Sequence, residues 1–280
     1  MPELHTHATA PTEFVETAGA RFAYRRFGHA GPIPLIFLQH FRGTMDNWDP
    51  AVVDGLAAER PVILLDNRGI GGSSGETPAS VAEMAKDIIA FLEALRLDRV
   101  DVLGFSLGGM VAQRMLIQRP TLVRRAILAG TGGPGAAGMF SPEITKAATK
   151  IPGDAESLLF LFFRSTPSSQ AAGGQYLQRM IARRDREPDT TSQAIQAQLT
   201  AIRAWGETNG DAFSRLKEIE HPTLIVNGTH DAMIPSFNSF ALSQQLPNAQ
   251  LVLYPDAGHG SLFQHPQWFV HDASRFLGTV

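Results

Sequence analysis

The sequence predicts an α/β fold in which a mostly parallel sheet of eight strands has helices on both faces. Short apolar runs alternate with longer segments of helical periodicity, which is the pattern of strand–helix units. The runs are apolar throughout, as expected for strands that are buried on both faces of a parallel sheet. A block with helical patterns only follows the sixth strand. We therefore expect a core domain of residues 1–134 and 211–280 and a helical cap (lid) of residues 135–210.

The first half of the predicted core begins with an antiparallel hairpin, in which two apolar runs flank a tight turn at Ala18-Gly19. Strand–helix units follow the hairpin. Ser80 and Glu83 have the spacing of a capping box, which predicts the start of a helix. Strands are predicted at residues 14–17, 21–27, 33–39, 61–66, 100–104 and 126–129, and helices at residues 48–59, 80–95 and 107–118.

The predicted cap contains four helices, and the strand–helix alternation resumes after it. The cap helices are expected at residues 143–150, 155–164, 175–184 and 191–205. The rest of the core has strands at residues 222–227 and 250–254 and helices at residues 235–246 and 267–277. No repeat or low-complexity linker separates these parts, so the cap is interpreted as an insertion into the core.

Composition excludes several classes of function. The chain of 280 residues has 24 basic and 27 acidic side chains and a formal charge of −3, so it lacks the basic excess that binds nucleic acids or anionic membranes. No cysteine is present, which excludes disulfides and a thiolate nucleophile. The first residues do not resemble a signal peptide, and no apolar run approaches the roughly 18 residues of a membrane span. We expect a cytoplasmic protein with no nucleic-acid or membrane partner.

The run GFSLG, residues 104–108, places Ser106 between two glycines where a strand ends and a helix begins. This is the pattern of a nucleophile elbow, in which the serine occupies a sharp turn and glycines allow close backbone approach. The N–H group of Leu107 would then point to the serine from the positive end of a helix. The alternative interpretation is a glycine-rich turn without chemistry, since short motifs also occur by chance.

A serine nucleophile needs a base, and the base needs a partner that orients it. Asp231 and His259 each follow a predicted strand downstream of Ser106, and the order Ser, Asp, His is the order expected for this architecture. Asp256 is a rival acid, and His259 could be an ordinary loop histidine. Asp66 precedes the serine strand and is interpreted as a residue that stabilises a turn.

These motifs together resemble the α/β-hydrolase family, in particular its capped serine esterase/lactonase-like branch. The resemblance extends over almost the whole chain. The segments that carry it are the elbow at residues 104–109, the D-x-R-G-x-G-x-S run at 66–73, the G-x-x-D loop at 228–231 and the histidine segment at 258–266. The resemblance implies the α/β-hydrolase fold with a cap after the sixth strand, but it says little about substrate.

The resemblance also places the second oxyanion donor. Family members usually have His-Gly-aromatic after the third strand, whereas this chain has Gln39-His40-Phe41. By register, Phe41 donates the second N–H and His40 replaces the glycine. We favour a loop histidine that is satisfied by local hydrogen bonds, and the alternative is a pocket wall that contacts substrate. Arg42 stands where perhydrolase-like members often have proline.

The cap is expected to cover the elbow and to contribute an apolar pocket. The candidate lining residues are His40, Met139, Phe140, Phe160 and Phe163, with Phe162 as a further possibility in the same run LLFLFF. Arg183 and Arg184 could bind a substrate carboxylate, but an exposed helix face is the preferred interpretation. The sequence does not decide between these alternatives.

The predicted function is a serine hydrolase that cleaves a small, apolar carboxylic ester or lactone. Ser106, Asp231 and His259 form the catalytic triad, an acyl-enzyme is the intermediate, and no metal or cofactor is expected because the chemistry is complete without one. The alternatives are a cofactor-free perhydrolase, a carbon–carbon hydrolase, a lyase or oxygenase, and a hydrolase-fold ligand receptor. Whether the protein is a monomer or a homodimer stays open.

Overall fold

The computed structural model describes residues 5–139, 141–150, 154–207 and 210–278. Its sheet has eight strands in the order β1-β2-β4-β3-β5-β6-β7-β8. β2 is antiparallel to β1 and β4, and the other neighbours are parallel. The strands are β1 (Glu13–Thr17), β2 (Ala20–Gly28), β3 (Leu35–Leu38), β4 (Pro61–Leu65), β5 (Val100–Phe105), β6 (Val123–Ala129), β7 (Thr223–Gly228) and β8 (Ala249–Tyr254).

Helices connect the strands, and short 3₁₀ turns lie at Met45–Asn47 and Arg215–Glu218. Within the described ranges the α-helices are α1 (Pro50–Ala57), α2 (Val81–Ala94), α3 (Leu107–Gln118), α4 (Pro142–Ala148), α5 (Ala155–Phe162), α6 (Pro167–Met180), α7 (Ser192–Gly206), α8 (Gly210–Ser214), α9 (Phe237–Gln245), α10 (Ser261–Gln264) and α11 (Pro266–Gly278). In the core, α1 contacts α11 and α2 contacts α3.

The central strands are the apolar runs of the sequence. Every residue of β3, β4, β5 and β7 is buried, which is the consequence of covering a parallel sheet on both faces. The edge strand β8 is buried only in part. The prediction of an α/β fold with a mostly parallel eight-stranded sheet is therefore confirmed.

Four helices, α4 to α7, lie between β6 and β7, and we call residues 142–206 the helical insertion. The bounds of α6 differ from the prediction of residues 175–184, because the helix begins at Pro167 and ends at Met180. The Thr166 hydroxyl accepts a hydrogen bond from the Ser169 N–H, and proline at the first helical position needs no amide partner. The sequence carried this start signal in Thr166-Pro167.

The helical insertion is attached to the core by charged side chains. Asp256, in the loop after β8, accepts hydrogen bonds from Arg164 at 2.6 Å and from Ser168 at 2.5 Å. Arg179 forms a two-bond ion pair with Asp49, the residue that caps α1. These contacts hold the insertion against the loops at the carboxyl edge of the sheet.

A buried ion network joins the sheet, the helical insertion and the N-terminal segment. Arg25 of β2 pairs with Asp46 at 2.6 Å and with Glu187 of the insertion at 2.7 Å. The Arg25 and Asp46 side chains have no exposed surface. Asp46 also accepts the Glu187 backbone N–H at 2.6 Å, and Thr12 donates to Glu187 at 3.1 Å. Three separate stretches of chain thus meet at one set of charges.

Candidate active site

Ser106 occupies a strained turn between β5 and α3. Its φ of 56° and ψ of −116° are rarely adopted by residues other than glycine. A Cβ atom on Gly104 would lie 2.4 Å from the Gly108 carbonyl oxygen, and one on Gly108 would lie 2.0 Å from the Leu38 carbonyl oxygen. The glycines on either side of Ser106 are therefore required by the close approach of neighbouring backbone.

Asp231 and His259 are hydrogen-bonded to each other at the carboxyl edge of the sheet. The His259 Nδ1 lies 2.7 Å from Asp231 Oδ2. The other carboxylate oxygen accepts the N–H groups of Met233 at 2.8 Å and Ile234 at 2.9 Å, which fixes its orientation. Because Nδ1 donates to the carboxylate, the neutral imidazole presents Nε2 as an acceptor.

The His259 Nε2 atom is buried and makes no hydrogen bond. Ser106 and His259 line the same cavity, but the hydrogen bond between them is not formed in this structure. Both residues are 1% exposed. The structure thus brings the three residues to one edge of the sheet and joins two of them directly.

The rival acids have other partners. The Asp256 carboxylate is held by Arg164, Thr166 and Ser168 of the helical insertion. Asp66 accepts the N–H groups of Met45 and Gly72, and burial raises the pKa of its carboxyl group to about 7. Asp66 therefore stabilises two turns, as the sequence indicated, and neither acid contacts His259.

The loop after β3, residues 39–42, borders the cavity, and we call it the β3 loop. The His40 N–H donates to Gln39 Oε1 at 2.9 Å, and the His40 Nδ1 donates to the Phe41 carbonyl at 2.8 Å. Phe41 lines the cavity. On the other side of Ser106, Leu107 is the first residue of α3, where helical N–H groups lack partners within the helix.

The His40 imidazole lies among aromatic rings. Its ring centre is 5.4 Å from Phe105 and 5.1 Å from Phe162. Burial lowers the pKa of His40 to about 4, and the nearby His259 and Arg42 lower it further, whereas the bond to Phe41 raises it. The imidazole is therefore uncharged near neutral pH. Its Nδ1 is satisfied within the loop, and its buried Nε2 has no partner.

A cavity of about 370 Å³ contains these groups. Ser106, His259, His40 and Phe41 lie at its floor. The wall that the helical insertion supplies is mainly apolar and comprises Ala147, Ala148, Leu158, Leu161, Phe162, Leu177 and Met180. Charged residues also border the cavity, namely Arg42, Asp154, Arg186, Glu187 and Asp189. The space combines an apolar wall with a charged margin.

Of the aromatic residues predicted for the pocket, Phe162 alone lines the cavity within the described residues. Phe160 is 44% exposed, and Phe163 packs on Tyr176 with ring centres 5.8 Å apart. The reason is helical periodicity, because Leu158, Leu161 and Phe162 share one face of α5 and Phe160 lies on another. Met139 packs near Gly206 and does not line the cavity. Phe140 lies outside the described residues.

The expectation of an exposed face for Arg183 was wrong, because its side chain is buried. It donates to the carbonyl oxygens of Ala8 at 3.2 Å and Ala10 at 2.9 Å. These acceptors belong to the N-terminal segment, which no local pattern in the sequence connects to position 183. The structure therefore assigns Arg183 to the attachment of that segment rather than to a substrate.

Sequence reasoning missed Gln198, whose side chain contacts the β3 loop. Gln198 lies on α7, and its Oε1 atom accepts the Arg42 N–H at 2.8 Å. Ile195, Leu199 and Ile202 are buried on the same helix. A single glutamine at a position that helical periodicity assigns to the buried face was the available signal, because buried polar side chains need partners.

Among the residues that the structure describes, no group of three or more His, Asp or Glu side chains is arranged to bind a metal ion. In that same part of the chain, no helix combines the length and the apolar character that crossing a membrane requires.

Comparison with known proteins places the fold and several chemistries beside this chain. A family model for the alpha/beta hydrolase fold matches residues 33–266. The structure of an alpha/beta hydrolase fold protein from Chitinophaga pinensis is 43% identical, with a TM-score of 0.93, and covers 99% of this chain and 100% of that chain.

Two more distant proteins have names that specify a reaction. A Mycobacterium tuberculosis protein, provisionally named non-heme bromoperoxidase BpoC, is 28% identical over 256 residues, which are 88% of this chain and 94% of that protein. The structure of Est816, described as an N-acyl homoserine lactone degrading enzyme, is 26% identical, with a TM-score of 0.71, and covers 94% of this chain and 100% of that chain. These similar proteins share a fold and differ in named activity.

Proposed function

The chain belongs to the alpha/beta hydrolase fold family, and from this premise we propose that it is a serine hydrolase that cleaves a small carboxylic ester or lactone. The observation that carries the proposal is the hydrogen-bonded pair of Asp231 and His259, which shares one cavity with the strained Ser106. A strained backbone at a cavity is typical of a functional residue. The helical insertion serves as the cap of this site.

The acylation step uses these three side chains. Ser106 Oγ attacks the carbonyl carbon of the substrate while His259 Nε2 accepts its proton, and Asp231 stabilises the imidazolium that forms. The unpartnered Nε2 is available for this bond, and catalytic hydrogen bonds often tighten only when substrate is bound. The N–H groups of Phe41 and Leu107 stabilise the oxyanion, and the loss of one such donor typically costs ~3 kcal/mol.

Deacylation completes the cycle. His259 gives its proton to the leaving oxygen, then takes a proton from water, whose oxygen attacks the acyl-enzyme and regenerates Ser106. Every proton in this scheme is carried by His259. The scheme needs no further reactant.

The cavity supports a small, largely apolar substrate. Its wall is formed by leucine, alanine and methionine side chains of the helical insertion, which favours an aliphatic acyl group. The named activity of Est816 supports a lactone as one form of this substrate. The cytoplasmic location and the choice between a monomer and a homodimer stay predictions.

A cofactor-free perhydrolase is the second candidate, because the related BpoC carries a bromoperoxidase name. In that reaction peroxide would replace water in the attack on the acyl-enzyme. Arg42 stands where perhydrolase-like members often have proline, which favours hydrolysis. A carbon–carbon hydrolase, a lyase, an oxygenase and a ligand receptor share the fold without an observation here that favours them.

The test is turnover of p-nitrophenyl esters of graded acyl length by the wild type and by Ser106→Ala. We expect turnover that disappears in the variant, with a preference for short or medium chains. Absence of turnover in the folded wild type, or equal activity in the variant, would contradict the proposal. Parallel assays with peroxide and monochlorodimedone distinguish the perhydrolase. Turnover of less than about one per minute with tight ligand binding would indicate a receptor, since enzymes have a median near ~10 per second.

A further inference from the structure

A side chain of the helical insertion holds the backbone of the β3 loop, and we propose that Gln198 is a positioning residue that directs the Phe41 N–H toward the oxyanion. This inference rests on the proposed serine hydrolase function. Gln198 lies on α7, whereas the N–H group that it positions belongs to the loop after β3. The oxyanion site is thus completed by the insertion and is not a property of the core alone.

The direction of the Phe41 N–H depends on the two peptide planes that flank Phe41, because each peptide unit is planar. The plane before Phe41 contains the His40 carbonyl, which accepts the Gly43 N–H at 3.1 Å. The plane after it contains the Phe41 carbonyl, which accepts His40 Nδ1 at 2.8 Å, and the Arg42 N–H, which donates to Gln198 Oε1 at 2.8 Å. Gln198 supplies the bond in this set that comes from outside the loop.

Arg42 needs such a restraint because its backbone is strained. Its φ of 67° lies in the left-handed region, which costs a residue with a side chain about 1–2 kcal/mol. Strained residues persist where their surroundings over-determine them. Besides the bond to Gln198, the Arg42 carbonyl accepts the Thr190 hydroxyl at 2.7 Å, and its guanidinium donates to the carbonyls of Ala148 and Lys150. These partners all belong to the helical insertion.

Gln198 is suited to hold one backbone group and little else. Its side chain is fully buried, its Oε1 accepts the Arg42 N–H, and its Nε2 has no hydrogen-bond partner. If the acceptor were removed, the Arg42 N–H would be left unpaired in a buried place. The β3 loop could then relax from the left-handed conformation at Arg42, and the Phe41 N–H would turn away from the oxyanion.

The predicted effect is specific to the transition state. Oxyanion donors bind the charge that develops on the carbonyl oxygen more strongly than the substrate itself. Removal of one donor costs roughly 10²–10³ in kcat, and a misdirected donor retains part of its effect. Gln198→Leu should therefore lower kcat by roughly 10-fold to 100-fold while KM changes by less than about threefold.

The experiment measures kcat and KM of Gln198→Leu on the best p-nitrophenyl ester, together with inhibition by a trifluoromethyl ketone of matching chain length. The ketone forms a tetrahedral adduct with a serine nucleophile and so reports on the oxyanion site. Gln198→Glu keeps an acceptor oxygen and should retain most of the wild-type kcat. Ser168→Ala is the matched control, because it removes a bond between the insertion and the core, to Asp256, far along the chain from the β3 loop.

We expect the inhibition constant of the ketone to rise in parallel with the loss of kcat in Gln198→Leu and to stay unchanged in Ser168→Ala. Wild-type kcat in Gln198→Leu, or a loss that appears in KM alone, would overturn the assignment. If Gln198→Leu does not fold, Thr190→Val removes the bond to the Arg42 carbonyl and must show the same selective loss. If the wild type itself turns over no ester, the proposed function fails, and this inference fails with it.

Discussion

The turn at Ser106 leaves no room for a side chain at the glycines beside it, and this gives a prediction at the scale of one methyl group. Gly108→Ala should lower the free energy of unfolding by ~3 kcal/mol or more, because its Cβ would lie 2.0 Å from the Leu38 carbonyl oxygen and one backbone segment must move. Ester turnover should fall with it. Urea unfolding followed by circular dichroism measures the change.

The matched control is Gly174→Ala, since a Cβ at that position in α6 would meet nothing within 4 Å. Replacing glycine by alanine inside a helix should raise the stability by roughly 0.5–1 kcal/mol. Equal effects of the two substitutions would contradict the steric account of the elbow.

The buried His40 makes stability depend on pH. Its pKa is lowered from 6.5 to about 4 in the folded protein, so between these values the unfolded chain binds a proton that the folded protein does not. The free energy of unfolding must therefore fall as the pH falls through this window. His40→Gln should reduce the loss between about pH 7.5 and about pH 5 by roughly 2 kcal/mol.

The measurement is urea unfolding of wild type and variant at both pH values, with His29→Gln, a change at an exposed histidine, as the control. The difference between proteins is needed because Asp66 acts in the opposite sense. Its pKa is raised to about 7, so its folded form holds a proton that the unfolded chain releases, and stability falls as pH rises. An unchanged pH dependence in His40→Gln would show that His40 is not neutral in the folded protein.

Single residues differ in how well local sequence predicted their surroundings. The proximity of Asp231 and His259 follows from the fold, since both come after parallel strands that end at one edge of the sheet. The contacts of Arg183 and Gln198 join segments that are far apart in the chain. Their partners are backbone groups, which every residue carries, so no residue type marked them in advance.

The helix α5 divides its residues between the cavity and solvent. Leu158, Leu161 and Phe162 line the cavity, and Phe160 is exposed. Leu161→Ala should enlarge the cavity and shift the preferred ester by one to three carbons toward longer chains, because each methylene that is buried contributes roughly 0.8 kcal/mol. The kcat/KM values over the graded p-nitrophenyl series measure the shift.

Phe160→Ala on the same helix is the control for this change and should leave the chain-length profile as it is in the wild type. A profile that moves with Phe160→Ala and not with Leu161→Ala would mean that α5 presents its other face to the substrate.

Elements with strong patterns were predicted well, and short ones were not. The strands β4, β5 and β7 lie within a residue or so of their expected bounds, because continuous apolar runs end where the sheet ends. The start of α6 was placed too late, since its first turns are rich in serine, glutamine and alanine and lack an apolar stripe. The four-residue α10 is too short to have a period.

The whole molecule depends on the ion network of Arg25, Asp46 and Glu187. Arg25→Met should lower the free energy of unfolding by about 3–5 kcal/mol, because it leaves two buried carboxylates without their cation. Arg215→Met removes a cation from the exposed pair with Glu218 and should change stability by less than about 0.5 kcal/mol. Thermal and urea unfolding of both variants test the contrast, and similar effects would refute a special role for the network.

The helical insertion leaves the sheet after β6 and returns at β7, and these strands pair side by side in regular register. In terms of protein engineering, such an insertion invites exchange between family members as a means of changing substrate preference. The contacts described above restrict that freedom. A grafted insertion without an acid in the place of Glu187 would strand Arg25 and Asp46 in the core, and one without an acceptor in the place of Gln198 would release the β3 loop. A successful chimera must therefore import a compatible pocket while retaining these two native side chains.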